Sequence, residues 1–387
     1  MHKIRFGMIG LSPGNGHPYS WSAICNGYDP EAMETCPFPV IPRYLAKQTF
    51  PTDCLHEAEV THIWTQNRAL SEHIALASRI PNVVDRPEDL IGQVDAVLLA
   101  RDDYELHEEM SRPFLAAGLP VFVDKPLAVD RETADRIWKL QTYEGQLFTG
   151  TSFRYAKEFS LTDEEREALG ELVYVDACVM KSWDKYGIHI VEPVLGLIGD
   201  QGPIRYVRAS AAGEATTVQA EWESGLLATF TSLGSIPAPV AIRLFGTKGF
   251  KEMKLEDTYS AFKASLQAFV DVIRGRTAPV RYDEVMRIVE LIECGTRPAA
   301  AGSGAVKSEE ADAGMDKVKV SKVEVVEAVK GPVSAEAVEA ALARADTAGS
   351  GAADADDVRS VAVRIEWDRK HADADVDSIR GKEESAR

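Results

Sequence analysis

Val121-Phe122-Val123-Asp124-Lys125-Pro126 carries a short apolar strand straight into an acid, a lysine and a proline. In an open parallel sheet, ligands bind just beyond the carboxyl ends of the strands, so Lys125 is expected where a bound cofactor meets its substrate. Working outward, residues 4–10 read as an apolar strand ending in glycine. The turn Leu11-Ser12-Pro13-Gly14-Asn15-Gly16 follows, and then an aromatic-rich helix over about 19–26. Strand, glycine turn and helix form the context of dinucleotide binding, because turn amides and a helix N-terminus can hold a pyrophosphate. Strands are expected at 60–65 and 96–100, with helices at 69–79 and 106–117. Strands alternating with helices mean βαβ units and a parallel sheet.

The chain has 387 residues, 45% of them apolar, which is enough for two domains with separate cores. A formal charge of −18 and a pI near 5.0 argue against nucleic acid or a membrane surface as partner. Small molecules are the expected ligands. No basic segment with an apolar h-region opens the chain, and no apolar run reaches the length of a membrane span, so a cytoplasmic protein is expected. Five scattered cysteines fit a reducing compartment rather than a disulfide framework. Cys36, Cys54, His56 and His62 match no compact ligand spacing, so no metal is expected.

A boundary is expected near Gly150, with a dinucleotide-binding domain at 1–150 and an α+β domain at 151–296. Strands at 172–180, 206–211, 217–222, 226–232 and 240–245 surround a helix at 189–198, and amphipathic helices follow at 261–274 and 283–293. Beyond Thr296 the composition shifts to Ala, Gly, Ser, Asp and Glu, so residues 297–387 read as a low-complexity acidic tail that is poorly ordered. Two valine-rich stretches, 318–326 and 358–365, flank a helix-like 334–344 and leave a small βαβ-like appendage as the alternative.

The glycine turn, Asp124-Lys125-Pro126, Phe153-Arg154-Tyr155, and Gly187-Ile188-His189 with Glu192 occur in that order. Arg243-Leu244-Phe245-Gly246-Thr247-Lys248-Gly249 and Phe269-Val270-Asp271-Val272-Ile273-Arg274-Gly275 follow. In this set the chain resembles the Gfo/Idh/MocA family of nicotinamide-dependent oxidoreductases over about residues 3–295. The resemblance implies a Rossmann-type doubly wound parallel sheet and a C-terminal α+β domain with an open, mostly antiparallel sheet. It further implies NAD or NADP as cofactor, a sugar, polyol or sugar-derivative substrate oxidised or reduced at a carbinol carbon, and a homodimer or homotetramer. The alternative is a non-catalytic nucleotide- or sugar-binding relative with a regulatory role.

The resemblance implies a catalytic role for Lys125 beside the reacting hydroxyl, with Asp124 in place of the usual glutamate and Pro126 bonded in cis. It implies that His189 faces the nicotinamide. The place of the usual acid before His189 is taken by Lys185, with Asp184 one residue off. A second ammonium close to Lys125 would favour a neutral lysine able to act as a base; alternatively Lys185 points at an anionic substrate. Arg154, Tyr155, Tyr186 and Glu192 are expected to shape the substrate end.

On the cofactor side, Gly10, Ser12 and Asn15 stand where three glycines are usual, with Gly14 and Gly16 nearby. Ser12 keeps a small side chain where backbone must approach phosphate. The second strand ends Thr65-Gln66-Asn67-Arg68 with no acid for the ribose, and Arg68 and Ser71 are available to a 2′-phosphate, a lean toward NADP. Asn67 and the loop carrying Arg101, residues 100–104, are expected on the cofactor side. The long connection 29–59 is expected to cover adenosine or substrate, and His17, Tyr19 and Trp21 to line the pocket or, for Trp21, the core.

Overall fold

The computed structural model of the protein describes residues 2–297 and two later strands, Glu324–Glu327 and Val361–Arg364. The chain divides into two compact units, residues 1–311 and 312–387.

The first unit opens with six parallel strands: β1 (Ile4–Ile9), β2 (Ala58–Trp64), β3 (Asn82–Val83), β4 (Ala96–Leu99), β5 (Val121–Val123) and β6 (Leu147–Thr149). Their order, β3-β2-β1-β4-β5-β6, is that of a dinucleotide-binding doubly wound sheet. Every residue of β4, β5 and β6 is buried, as expected of central strands covered on both faces. The helices between them are α1 (His17–Asn26), α2 (Pro30–Glu34), α3 (Val40–Leu45), α4 (Arg68–Ala77), α5 (His107–Ala116) and α6 (Arg131–Trp138). Helix α1 starts two residues before the expected position, because Pro18 is tolerated in a first turn where its missing N–H costs nothing. Trp21 stacks on Phe122 at 4.9 Å, which seats α1 on β5.

Residues 29–59 differ from the expected open cover. They form α2 and α3, which bury Met33, Ile41 and Leu45, and Leu55 N–H donates to the Ile24 carbonyl at 2.8 Å. Phe38 packs on Tyr19 of α1 at 6.3 Å between ring centroids, while Tyr44 and Phe50 pack on Tyr259.

Next come α7 (Asp163–Leu169), β7 (Leu172–Val179), α8 (Trp183–Tyr186), α9 (Ile188–Ile198) and β8 (Ile204–Ala212). They are followed by β9 (Ala215–Trp222), β10 (Leu227–Ser232), β11 (Ala241–Gly246), β12 (Phe250–Lys254), α10 (Thr258–Ile273) and α11 (Tyr282–Thr296). The second sheet runs β12-β11-β7-β10-β9-β8, antiparallel except between β7 and β10. Its outer positions keep Val173, Phe245 and Phe250 exposed.

The short α8 is pinned from behind. Trp183 is buried, and its indole N–H donates to the Ile292 carbonyl of α11 at 2.8 Å. A Cβ on Gly295 would lie 2.3 Å from that indole nitrogen, so only glycine lets the two helices close.

In the second unit, β13 (Glu324–Glu327) and β14 (Val361–Arg364) pair antiparallel. A βαβ unit requires parallel strands, so the appendage imagined from the valine runs is corrected to an antiparallel pair. The helix-like 334–344 and the remaining tail expectations lie outside the described residues.

Candidate functional site

The carboxyl ends of β1, β4, β5 and β6 deliver four loops to one region, and α8 and α9 close it from the second half of the chain. Lys125 follows β5 and is buried, with its side chain 5% exposed. Its ammonium lies 3.5 Å from Asp102 Oδ2 and 5.3 Å from the centre of the Tyr186 ring. The Lys125–Pro126 peptide is cis.

Asp102, just past β4, ties the region together. Its Oδ1 accepts the Ser12 hydroxyl at 2.6 Å, and its backbone N–H donates to Ser12 Oγ at 3.0 Å. Lys185 reaches the same Oδ1 at 3.5 Å. Lys185 thus stands near Lys125 as a second ammonium, with the Asp102 carboxylate between them offsetting their repulsion.

Asp124 faces the glycine turn. It accepts from Asn15 Nδ2 at 2.8 Å and from Lys125 N–H at 2.8 Å, and meets His17 Nδ1 at 2.6 Å. Burial opposes its ionisation, but the His17 charge and hydrogen bond together with Lys125 prevail and hold the carboxyl well below the usual range. Asn15 Oδ1 also accepts from His17 N–H, the first residue of α1, at 2.8 Å.

His189 sits at the start of α9, buried between Phe153, at 4.5 Å, and Tyr186, at 5.1 Å between ring centroids. Burial, reinforced by the positive charges of Lys125 and His17, drives its pKa well below the ordinary 6.5 and leaves a neutral imidazole. Nδ1 is committed to Thr151 Oγ1 at 2.6 Å, which leaves Nε2 for a substrate proton.

Arg154 and Glu192 turn toward one another. Arg154 Nη1 donates to Glu192 Oε1 at 2.9 Å and its Nη2 pairs with Glu284 at 2.7 Å. Glu192 Oε2 accepts Thr151 N–H at 2.6 Å, and burial raises its pKa against the pull of Arg154. A Cβ on Gly150 would come within 2.4 Å of Glu192, and Gly150 holds φ 125°, so glycine is required there on both counts. These groups shape the turn that presents Thr151 to His189, and Tyr155 lies beneath the Arg154 guanidinium at 5.5 Å.

The glycine turn after β1 leaves two amides, the N–H groups of Gly14 and Gly16, without an acceptor among the described residues, and Gly14 is exposed with φ 83°. A Cβ on Gly10 would meet Pro18 Cγ at 2.3 Å, so glycine is what allows α1 to start close under the turn. Such amides ahead of a ten-residue helix suit a pyrophosphate. Ser12 and Asn15 point inward to Asp102 and Asp124, so their backbone rather than their side chains would approach it.

The far edge is less open than expected. Asn67 accepts from Leu70 N–H at 3.2 Å as the cap of α4. Arg68 pairs with Glu72 at 2.8 Å and with Asp85 at 2.5 Å. Ser71 is buried, its Oγ accepting Thr65 N–H at 2.8 Å, which takes it away from any 2′-phosphate. Arg101 is held by Asp103 and by Gln66 Oε1 at 3.1 Å. Gln66 in turn bonds both ways to the Leu11 backbone, at 3.1 and 2.6 Å. Of the aromatic trio, Tyr19 bonds to His73 at 2.6 Å and Trp21 is core, while His17 alone reaches the site.

Residues 41–151 match a family described as oxidoreductases with an NAD-binding Rossmann fold. This stretch belongs to the Gfo/Idh/MocA family. The Gfo/Idh/MocA stretch includes Asp102 and Lys125 and begins after the glycine turn, where the chain departs from the usual pattern. A search of curated proteins finds no match to the chain. Among solved structures, GenD2 from gentamicin A biosynthesis, in complex with NAD, is similar at 18% identity with a TM-score of 0.60, over 80% of this chain and 97% of that one. Myo-inositol 2-dehydrogenase from Lactobacillus plantarum is 16% identical with a TM-score of 0.57, over 79% and 99%. Scyllo-inositol dehydrogenase from Lactobacillus casei is 14% identical with a TM-score of 0.56, over 75% and 94%.

The cofactor-side loop expected at 100–104 contains Asp102 without a role of its own, and Gln66, Thr151 and Lys181 were not expected in this region. Asp102 carried one usable signal, its position at the carboxyl end of the apolar run at 96–100. Thr151 carried none.

Proposed function

We propose that the protein is an NAD(P)-dependent oxidoreductase moving hydride between nicotinamide C4 and a carbinol or carbonyl carbon of a sugar, polyol or sugar derivative. The observation that carries this reading is the convergence of Lys125 and neutral His189 on one Tyr186 ring, at the carboxyl edge of the sheet and beside the glycine turn. The amides of Gly14 and Gly16 would hold the cofactor's pyrophosphate, and its nicotinamide would take up or return the hydride. Lys125 holds the reacting oxygen and exchanges its proton, His189 Nε2 provides the second proton-handling group, and Tyr186 packs beneath both.

Lys185 is tied to Asp102 and orients that carboxylate rather than acting as a base. NAD or NADP both remain within the proposal; Arg68 would serve a 2′-phosphate by exchanging the exposed pairs it makes with Glu72 and Asp85. The exposed Val173, Phe245 and Phe250 of the second sheet favour assembly of two copies across that face. Five free cysteines favour the cytoplasm.

The test is fluorescence titration with NADH and NADPH, followed by turnover with a panel of inositols, aldoses and sugar acids. Saturable cofactor binding with turnover on at least one polyol is expected. Binding without turnover on any would favour a regulatory relative, and absence of binding by both cofactors removes the proposal.

A further inference from the structure

Lys181 is one of two non-glycine residues with positive φ among the described residues, at 69°. A lysine in the left-handed region is disfavoured, and such strain persists where the surroundings impose it. Here the imposing partner is Gly234: Lys181 N–H donates to its carbonyl at 2.6 Å, and Gly234 N–H donates back at 3.1 Å. The result carries the Lys181 ammonium over the Tyr186 ring, 4.2 Å from its centre and bonded to its hydroxyl. Lys125 lies 5.3 Å from the same ring centre.

Three ammoniums, on Lys125, Lys181 and Lys185, thus surround one side of the candidate site. Asp102 serves two of them, and Lys181 has no carboxylate partner among the described residues. Asp124 and Glu192 are committed to His17 and Arg154, Asp184 lies by the Tyr104 hydroxyl, and Glu214, beside Gly234, accepts Ser235 N–H. In a chain of formal charge −18, a local surplus of positive charge beside the reacting groups is selective for anions.

Resting on the oxidoreductase reading above, we propose that the substrate carries an oxyanion, carboxylate or phosphate, seated between Lys181 and Lys185. Its reacting carbinol lies at Lys125 and His189. Tyr186 meets Lys125, Lys181 and His189 at 5.3, 4.2 and 5.1 Å from its ring centre, so a small molecule lying at that ring is within reach of the reacting groups and of Lys181. Ammonium groups act as point charges and accept either oxyanion, so geometry alone favours neither source.

The test is calorimetry on the protein saturated with NADH, using D-glucuronate, D-glucose 6-phosphate and D-glucose as probes. At least one anion should bind about tenfold or more tighter than glucose, with the advantage shrinking as salt is raised. The better of the two anions distinguishes carboxylate from phosphate. Lys181→Gly suits the backbone at this position, so it should keep fold and NADH affinity while bringing both anions within about twofold of glucose. Lys185→Met should reduce the preference independently.

Equal binding of all three probes, failure of both anions to bind, or a preference unchanged in both variants overturns the inference. Failure to bind NADH instead strikes the oxidoreductase reading, and the same titrations on the cofactor-free protein then decide the anion site separately.

Discussion

Asp102 and Lys125 face each other at 3.5 Å with side chains 7% and 5% exposed, and the other oxygen of that carboxylate holds the Ser12 hydroxyl. One acid thereby links the turn after β1 to the lysine after β5. A buried charge is held this firmly only when each of its oxygens is satisfied, and Asp102 meets that condition with Ser12, Lys125 and Lys185. Asp102→Asn should lower turnover on the order of 10- to 100-fold through misplacement of Lys125, with NADH affinity within a few-fold. Steady-state kinetics beside a cofactor titration measure both, and unchanged turnover would remove Asp102 from the site.

Lys125→Ala should cost about two or more orders of magnitude in turnover, the scale of a lost positioned acid or base, and leave NADH binding within a few-fold. Near-normal turnover in this variant would end the central assignment.

His189 gives a pH signature. Its folded pKa lies below the unfolded 6.5, so the unfolded chain binds the extra proton as pH falls through that window. The stability of the neutral buried ring is present above 6.5 and is lost below it, by up to about 1.4 kcal/mol for each pH unit. His189→Gln should therefore flatten the fall in unfolding free energy between pH 6.5 and 5 relative to the parent, as read by urea titrations. Parallel curves would mean that His189 titrates alike in the folded and unfolded chain and is not held neutral.

Arg154 and Glu192 should behave as a buried pair. Arg154→Met strands a carboxylate that is 2% exposed, at a cost of about 3 kcal/mol, whereas Arg154→Met with Glu192→Leu should recover much of the loss. Thermal and urea unfolding of both single variants and the double variant decide it; a double-variant loss equal to the sum of the single losses would show that the pair is not coupled.

The open face of the second sheet predicts assembly. Phe250 is 74% exposed beside Phe245, at 6.2 Å between ring centroids. Phe250→Lys should shift sedimentation toward monomer with the fold intact. A parent protein that is already monomeric at micromolar concentration would refute the assembly.

What was legible in the sequence was local. The apolar run Val121-Phe122-Val123, the glycine turn and the βα alternation announce a parallel sheet and place Lys125 at its carboxyl edge, because strand burial and turn chemistry are written in neighbouring residues. The short β3 and β6 and helix α6 escaped, since two or three residues carry too little periodicity, and half of α6 is charged. Residues 29–59 read as a loop because α2 and α3, five and six residues long, are too short to show a helical period.

Which side chains meet was decided by the tertiary structure alone. Ser12 and Asp102 are 90 positions apart, and Thr151 and His189 are 38 apart. No local pattern records such pairings, because they arise only when separate strands deliver their loops to one edge. Lys181 shows the division most plainly: the sequence determined that a lysine stands there, and only the Gly234 bridge determined that it lies over Tyr186.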